Sequence, residues 1–436
     1  MSIGRSAHPR RTLTAVVATS LVGGALVVLV PGAALANGNG HGNGNGHGNG
    51  NGYGNARNVI FINGDGMSAA HREAARLAQV GFDGDLVMDT LGATGLETTD
   101  PRDPEETITD SAAAATAWAT GQKTYNGAIS VDVDGNPLVT LGLEAKKAGK
   151  ATGIVTTAQV TDASPAAFFS NTTDRGLQSD IAKQYLEVTK PDVILGGGED
   201  WWLPAGNPGT YPDNPAEDPS EASKGAQGDL ISEAQQLGYD YVTDAASLSA
   251  ARGSRLLGLF SNEEMFQQRP EDEGDVYNPV VPLPDMAAKA LQTLSQDRDG
   301  FFLVVEEEGV DEFSHSNNAE RVLQSMEYLE QTVTLARDYV AKHPDTLLIV
   351  TGDHDCGGLT VEGADDGDSG VPGAPTDGPF PVAGTDKEFY MDWTTTGHTG
   401  VPTVVTGTGY GSDQLVGYYP NTHLHDVMRS VLLGRR

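Results

Sequence analysis

Short apolar runs alternate with helical stretches from Arg57 almost to the end of the chain, and this alternation most constrains the fold. The runs are rich in β-branched residues, and the segments between them have the apolar period of helices. The predicted strands cover residues 58–62, 153–157, 192–195, 301–305, 347–351 and 402–406, and the predicted helices cover residues 69–80, 111–120, 141–148, 286–294 and 319–341. We therefore predict an α/β fold with a large, mainly parallel central sheet and helices on both faces.

The first residues have the three parts of a secretory signal peptide. A start with three arginines precedes an apolar run over residues 13–30, and an A-x-A sequence ends at Ala36. The alternative is an uncleaved membrane anchor, since the run is almost long enough to span a bilayer. We predict a signal peptide at residues 1–36 and a secreted product, extracellular or associated with the cell envelope. The mature form is then expected to have no membrane segment.

A glycine and asparagine repeat follows the predicted cleavage site. Such a sequence cannot bury apolar surface, so we predict a flexible linker over residues 37–56. His41 and His47 leave open a weaker alternative, in which the repeat contacts a metal ion. Residues 57–436 carry all the predicted strands and are assigned to one domain.

The chain is strongly acidic, with 60 Asp and Glu residues against 27 Lys and Arg residues and a net charge of −33. Such a surface repels nucleic acid and anionic lipid, so we expect no nucleic-acid-binding surface. A site for an anionic ligand on this chain needs its own positive charge, and bound metal ions are one source. Cys356 is the single cysteine, which excludes an intrachain disulfide.

Carboxylates and histidines cluster beside the ends of the predicted strands. Ligands of open α/β sheets bind beyond the carboxyl ends of the strands. Alone, each such residue is better explained as a turn former or a packed side chain. Together, carboxylate and imidazole groups are the ligands of zinc, and a carboxylate-rich neighbour suits magnesium. The residues concerned are Asp65, Glu306, Asp311, His315, Asp353, His354 and, just before the last strand, His398.

Ser111 stands at the start of an alanine-rich predicted helix. The structural interpretation is that Asp110 or Ser111 merely caps this helix. The functional interpretation is that the helix N-terminus holds a phosphate on the serine oxygen. A serine without a nearby base is a poor nucleophile, but coordination to a metal ion activates it.

The sequence DSAAAATA at residues 110–117 resembles the D-S-A-A-[SA]-A-T-A nucleophile signature of alkaline phosphatases. The similarity extends from Asn58 to Leu433. It includes residues 58–67, 121–127, 161–167, 195–198, 301–315, the Asp353-His354 pair and residues 397–400. The resemblance implies the family's large α/β sandwich, usually a homodimer. It also implies hydrolysis of small-molecule phosphate monoesters, with an alkaline optimum and a phosphoserine intermediate.

The resemblance also implies a role for each site residue, with two zinc ions and one magnesium ion. Ser111 would be the nucleophile, and Arg175 would clamp two phosphate oxygens. The first zinc site would contain Asp311, His315 and His398; the second, Asp65, Asp353, His354 and Ser111; and the magnesium site, Asp65, Ser164 and Glu306, with Asp162 in its outer shell.

Three positions depart from the family pattern or complicate it. Ser164 stands where threonine is common, and both offer a hydroxyl group. Glu312 stands where several relatives carry Lys, His or Trp. We expect its carboxylate to repel phosphate and weaken phosphate binding; the alternative is that the side chain turns away to solvent. Cys356 follows the Asp353-His354 pair closely, and we interpret it as a small buried thiol rather than a zinc ligand.

Other functions remain open at this point. A phosphodiesterase or sulfatase could have the same superfamily fold, although the C/S-x-P-x-R motif of sulfatases is absent around Ser111. A non-enzymatic extracellular calcium-binding or adhesive protein is suggested by the acidic loops at residues 132–135 and 363–368. Neither loop has the full spacing of an EF-hand.

Overall fold

The computed structural model describes residues 57–211, 223–267, 277–363 and 377–434. The predicted signal peptide, the predicted linker and most of the acidic loop at 363–368 lie outside the described residues. In the ranges described, no helix combines the length and the apolar character needed to cross a bilayer.

The strands in these ranges are β1 (Asn58–Gly64), β2 (Ala93–Thr98), β3 (Ala151–Gln159), β4 (Val193–Gly197), β5 (Asp240–Val242), β6 (Leu256–Leu259), β7 (Phe301–Glu307), β8 (Thr346–Thr351), β9 (Asp355–Cys356), β10 (Thr360–Glu362), β11 (Asp377–Pro381), β12 (Glu388–Asp392), β13 (His398–Thr399), β14 (Thr403–Gly409) and β15 (Gly417–Pro420). The α-helices are α1 (Ala69–Gln79), α2 (Ser111–Thr120), α3 (Leu141–Lys147), α4 (Ala163–Phe169), α5 (Gln178–Gln184), α6 (Leu230–Gln236), α7 (Ala245–Ala250), α8 (Leu283–Leu294), α9 (Gly309–His315), α10 (Ala319–Lys342) and α11 (Thr422–Leu433). Each predicted strand and helix is present, with small shifts at its ends.

A sheet of ten strands forms the centre, in the order β15-β2-β14-β8-β1-β7-β3-β4-β6-β5. Only β14 runs antiparallel to its neighbours β2 and β8 in this sheet, which confirms the predicted mainly parallel arrangement. The direction of β14 matters for the site. Because β14 is antiparallel, it begins where β8 ends, and His398 shortly before it lies at the carboxyl edge of β1, β7 and β8.

The central strands are buried on both faces because their side chains alternate between two cores. On β1, Ile60 and Ile62 face one core with side chains from α1, α8 and α10. Val59 and Phe61 face the other core, with side chains from α2, α3, α4 and α11. Helices therefore cover both faces, as the continuous apolar runs of the sequence predict.

Helix α2 is buried along its whole length. Its alanines allow close packing against α4 and α11, because small side chains let helices approach each other. Trp118 fills the remaining space, with its ring 4.9 Å from the ring of Phe61 on β1. The helix ends at Gly121, whose φ of 73° is readily adopted by glycine. This packing fixes the first residue of α2 at the carboxyl edge of the sheet.

Candidate active site

The predicted ligands come together at the carboxyl edge of the central sheet. Asp65 follows β1, and Asp311 lies on α9, directly after β7. Asp353 and His354 follow β8, and His398 opens β13. The sheet topology thus gathers residues that are up to 333 positions apart in sequence, counted from Asp65 to His398.

The first cluster contains Asp311, His315 and His398. The Nε2 atom of His315 lies 3.1 Å from Asp311 Oδ2, and His398 Nε2 lies 3.5 Å from Asp311 Oδ1. The other ring nitrogens, Nδ1, donate to the carbonyl oxygens of Thr396 at 2.6 Å and Thr109 at 3.0 Å. These backbone contacts select the tautomer that leaves both Nε2 atoms available to a metal ion.

Charge balance in this cluster also favours a cation. Burial alone would raise the pKa of Asp311, but hydrogen bonds with His315 and His398 lower that pKa well below its usual value. Burial opposes protonation of His315, yet Asp311 raises the pKa of His315 to about 9. The two Nε2 atoms lie only 3.1 Å apart, so two protonated rings would repel each other. A single bound cation resolves this conflict.

The second cluster contains Asp65, Asp353 and His354, all of which have no exposed surface. The Nε2 atom of His354 lies 3.1 Å from Asp353 Oδ2 and 3.6 Å from Asp65 Oδ1. Neither carboxylate oxygen has a hydrogen-bond partner among the described residues, and the same holds for Asp311 Oδ1. Buried polar atoms without partners are rare, and a bound cation satisfies them.

Electrostatics in the second cluster agree with this interpretation. Burial and the neighbouring Asp353 raise the pKa of Asp65 well above its usual value. Burial and Asp311 raise the pKa of Asp353 to about 6. Burial lowers the pKa of His354 well below its usual value, which keeps its ring neutral. A neutral imidazole and two carboxylates form a donor set that fits zinc.

A third group has only oxygen ligands. The hydroxyl group of Ser164 lies 3.3 Å from Asp65 Oδ2, and Thr156 donates to Glu306 Oε2 at 2.7 Å. Asn63 Nδ2 lies 3.4 Å from both Ser164 Oγ and Glu306 Oε1. Burial raises the pKa of Glu306 to about 7. Carboxylate and hydroxyl oxygens fit a hard cation such as magnesium.

Ser111 and Asp110 have different roles at the start of α2. The helix cap is Asp110, whose Oδ1 accepts from the backbone N–H of Ala113 at 2.9 Å. Ser111 is the first residue of the helix, and its Oγ lies 3.3 Å from His354 Nε2 in the second cluster. The capping interpretation therefore applies to Asp110, which leaves the hydroxyl group of Ser111 beside His354 of the second cluster.

Arg175 is held by two carboxylates, one of which belongs to Asp110, the residue before Ser111. Its Nη2 donates to Asp162 Oδ1 at 3.0 Å, and its Nη1 donates to Asp110 Oδ2 at 3.4 Å. The same Asp110 oxygen accepts from the backbone N–H of Gly127 at 2.8 Å. Asp162, which we predicted in the outer shell of magnesium, thus contacts Arg175 directly.

Glu312 lies next to Asp311 on α9, among other acidic side chains. Burial, Asp311 and Glu264 raise the pKa of Glu312 to about 8. One of its oxygens lies within 4.8 Å of an oxygen of Asp311 in the first cluster, where a carboxylate would repel phosphate.

Glu308 was not among the site residues predicted from the sequence, although the run of three glutamates at residues 306–308 was a visible signal. The Glu308 carboxylate is buried and forms a group with Asp65 and Glu306, with ligand atoms within 4.8 Å of one another. It belongs to a second group with Asp311 and Glu312 at the same spacing.

Cys356 is fully buried, as we predicted for a small packed thiol. Its Sγ also lies within 4.8 Å of ligand atoms of Asp311, His315 and His398. Burial and Asp311 raise the pKa of Cys356 well above its usual value, which favours the thiol over the metal-binding thiolate.

Most of the chain is similar to known proteins of one family. The family model described as "Alkaline phosphatase" matches residues 56–374. The chain belongs to the alkaline phosphatase family. Alkaline phosphatase 3 of Bacillus subtilis (strain 168) is 36% identical over 319 residues, which cover 71% of this chain and 63% of the relative. The chain thus spans less than two thirds of that relative's length.

Two further similar proteins are matched over most of their own length. The streptomycin-6-phosphate phosphatase of Streptomyces griseus is 34% identical over 423 residues, which cover 86% of this chain and 90% of the relative. The crystal structure of a cold-active alkaline phosphatase from the psychrophile Shewanella sp. is 30% identical, with a TM-score of 0.69. That match covers 86% of this chain and 99% of the Shewanella chain.

Proposed function

We propose that this protein hydrolyses phosphate monoesters to an alcohol and inorganic phosphate through a phosphoserine on Ser111. One observation carries the proposal: the hydroxyl group of Ser111 lies 3.3 Å from His354 Nε2, at the edge of buried ligand clusters. Membership of the alkaline phosphatase family supports the same reaction.

The two steps of the reaction balance as follows. The Ser111 oxygen attacks phosphorus, a bond from phosphorus to serine forms, and the bond to the alcohol oxygen breaks. The alcohol leaves with a proton. Water then attacks the phosphoserine, which releases inorganic phosphate and restores the serine hydroxyl group. Two in-line displacements give retention at phosphorus.

The metal-holding residues that we propose form three groups, with the ligand sets that the family resemblance implies. We propose zinc at Asp311, His315 and His398, a second zinc at Asp65, Asp353, His354 and Ser111, and magnesium at Asp65, Ser164 and Glu306. Such ions, when bound, lower the pKa of the attacking oxygens and neutralise the charge of the phosphoryl group. An alkaline optimum follows from this, since deprotonated oxygen nucleophiles are favoured at high pH.

Arg175 is positioned to bind phosphate oxygens. Asp110 and Asp162 hold its guanidinium group, and Asp110 directly precedes Ser111. A planar guanidinium group can donate two parallel hydrogen bonds to a phosphoryl group. Asp110 also caps α2, so it links the nucleophile's helix to the phosphate-binding arginine.

Replacing Arg175 by alanine should raise KM for a phosphate monoester by about tenfold or more, because a charge-assisted contact is lost. Steady-state kinetics of the purified variant measure this change. Arg429→Ala is the matched control, since Arg429 forms a two-point ion pair with Glu144 away from the clusters. An unchanged KM in Arg175→Ala would contradict the assigned role.

Replacing Glu312 by lysine should strengthen inhibition by phosphate by about tenfold, since an acid beside the site becomes a base. The measurement is the inhibition constant of inorganic phosphate, in buffer containing only zinc and magnesium. Glu264→Lys introduces a similar charge change nearby and serves as the control. Equal constants for wild type and Glu312→Lys would refute our interpretation of Glu312.

A single assay separates the candidate functions. We expect hydrolysis of a chromogenic phosphate monoester, little hydrolysis of the matching diester, and loss of both activities with a chelator. Faster hydrolysis of the diester would favour a phosphodiesterase. If metal-loaded protein hydrolyses neither substrate, the non-enzymatic calcium-binding or adhesive function is the remaining candidate. The loop at 132–135 does not favour calcium binding, because Asp132 Oδ1 accepts from the backbone N–H groups of Asp134 and Asn136.

We further propose that the mature protein is secreted, acts as a homodimer and accepts small-molecule phosphate esters. Mass spectrometry of the exported protein tests cleavage after Ala36, and sedimentation tests the dimer. The relative from Streptomyces griseus makes streptomycin 6-phosphate a useful member of a substrate panel.

A further inference from the structure

Glu308 is a buried carboxylate without a stabilising partner. It precedes α9, and only 3% of the residue is exposed. No hydrogen bond or ion pair to its carboxylate occurs within the described residues. Its carboxylate offers a ligand oxygen within 4.8 Å of oxygens of Asp65 and Glu306, and one within 4.8 Å of oxygens of Asp311 and Glu312. A buried acid surrounded by acids is unfavourable unless a cation or a proton neutralises it.

The local chain geometry gathers three acids on one side of α9. Glu308 has helical backbone angles, so Glu308, Asp311 and Glu312 follow the i, i+3, i+4 pattern of one helix face. One oxygen from each of these residues lies within 4.8 Å of the others. Two oxygens bound to the same Ca²⁺ at 2.3–2.6 Å are at most about 5 Å apart, and each pair among these three oxygens meets that limit.

Calcium suits this group better than the ions of the proposed catalytic clusters. Asp311 also belongs to the first cluster, but the group that it forms with Glu308 and Glu312 offers only carboxylate oxygens, unlike the donor set preferred by zinc. Glu312 is partly exposed, so water can complete the coordination shell. Calcium accepts irregular geometry with six to eight oxygens, whereas magnesium requires a near-ideal octahedron.

We propose that Glu308 and Glu312, together with Asp311, bind one calcium ion in addition to the zinc and magnesium of the proposed function. This inference rests on the proposed function only because it assumes that zinc and magnesium occupy their proposed sites. Bound calcium places positive charge beside the phosphate-binding residues, where the sequence alone places a carboxylate.

The test measures calcium directly and needs no phosphatase activity. Protein loaded with zinc and magnesium is dialysed against radioactive calcium up to about 1 mM, since three-carboxylate sites of extracellular proteins bind at roughly 10⁻⁴–10⁻³ M. We expect one calcium per chain, with zinc and magnesium content unchanged by elemental analysis. Glu308→Gln and Glu312→Gln should each weaken calcium binding by about tenfold or more, as expected for loss of a charged ligand.

Glu264→Gln is the matched control. It removes a nearby negative charge whose carboxylate already accepts from Gln159 Nε2 at 2.8 Å, and it removes none of the three ligands. Its calcium affinity should stay within about twofold of wild type, because only long-range charge changes. Thermal unfolding verifies that each variant is folded.

Three results would overturn the proposal. The first is the absence of bound calcium in wild type, and the second is equal binding by wild type and both glutamine variants. The third is displacement of one magnesium for each calcium bound, which would assign Glu308 to the magnesium group with Asp65 and Glu306. If calcium binds as expected but no phosphate ester is hydrolysed, the calcium site stands and the proposed function fails.

Discussion

Ser111→Ala should lower kcat for a phosphate monoester by at least about a thousandfold, because the variant lacks the attacking oxygen. The structure supports a large effect, since Ser111 Oγ is next to His354 and the helix is already capped by Asp110. Folding should change little, because alanine suits a buried helix of alanines. Steady-state kinetics and thermal unfolding measure the two effects.

A labelled substrate adds a direct test of the intermediate. Wild-type protein quenched in acid should retain radioactive phosphate on Ser111, and Ser111→Ala should retain none. Ser232→Ala is a control. Ser232 also lies in the first turn of a helix, α6, but its hydroxyl group donates to Asp229, which caps that helix. Normal labelling of Ser111→Ala would eliminate the proposed nucleophile.

Removing the metal ions should destabilise the protein more strongly as the pH rises. Asp353, Glu306 and Glu312 have pKa values of about 6, 7 and 8, raised by burial from 3.8, 4.5 and 4.5. A carboxylate whose pKa is higher in the folded state stabilises the fold while protonated, below its unfolded pKa. This contribution is lost as the pH rises through the folded pKa. Metal-free protein should therefore have a Tm on the order of 10 °C lower at pH 8 than at pH 5.

Calorimetry of metal-free and reloaded protein checks this expectation. Zinc and magnesium should restore more stability at pH 8 than at pH 5, since they bind the ionised carboxylates. Glu306→Gln removes one titrating group and should reduce the pH slope of the metal-free protein. A metal-free Tm that is constant or rises between these two pH values would contradict the buried-carboxylate explanation.

The central strands were predictable because they are buried on both faces. A strand such as β7 is then a continuous apolar run, which is easily distinguished from the neighbouring helices. Strand β2, the second strand from one edge of the sheet, was missed because its buried and exposed residues alternate, and it contains a glycine. Strand β6 was missed because four residues are too few to show a period.

The ligand clusters were predictable only in part, for a physical reason. The rule that ligands follow parallel strands locates Asp65, Asp311 and Asp353 without a structure. His398 precedes a strand, and its place at the same edge depends on the reversed direction of β14. The direction of β14 depends on packing between residues that are far apart in sequence, so no local sequence pattern predicts it. The pairing of Arg175 with Asp110 and Asp162 has the same origin.

The complete burial of α2 limits how this protein can be engineered. Ser111, the residue that we propose as nucleophile, begins a helix that is packed on every side and made mostly of small side chains. Larger residues in place of its alanines would displace α4 or α11. Random libraries over residues 112–120 would then select mainly for folding rather than for new substrates. Productive diversity is expected instead in the exposed loops around the site, where side chains can change without disturbing the backbone beneath Ser111.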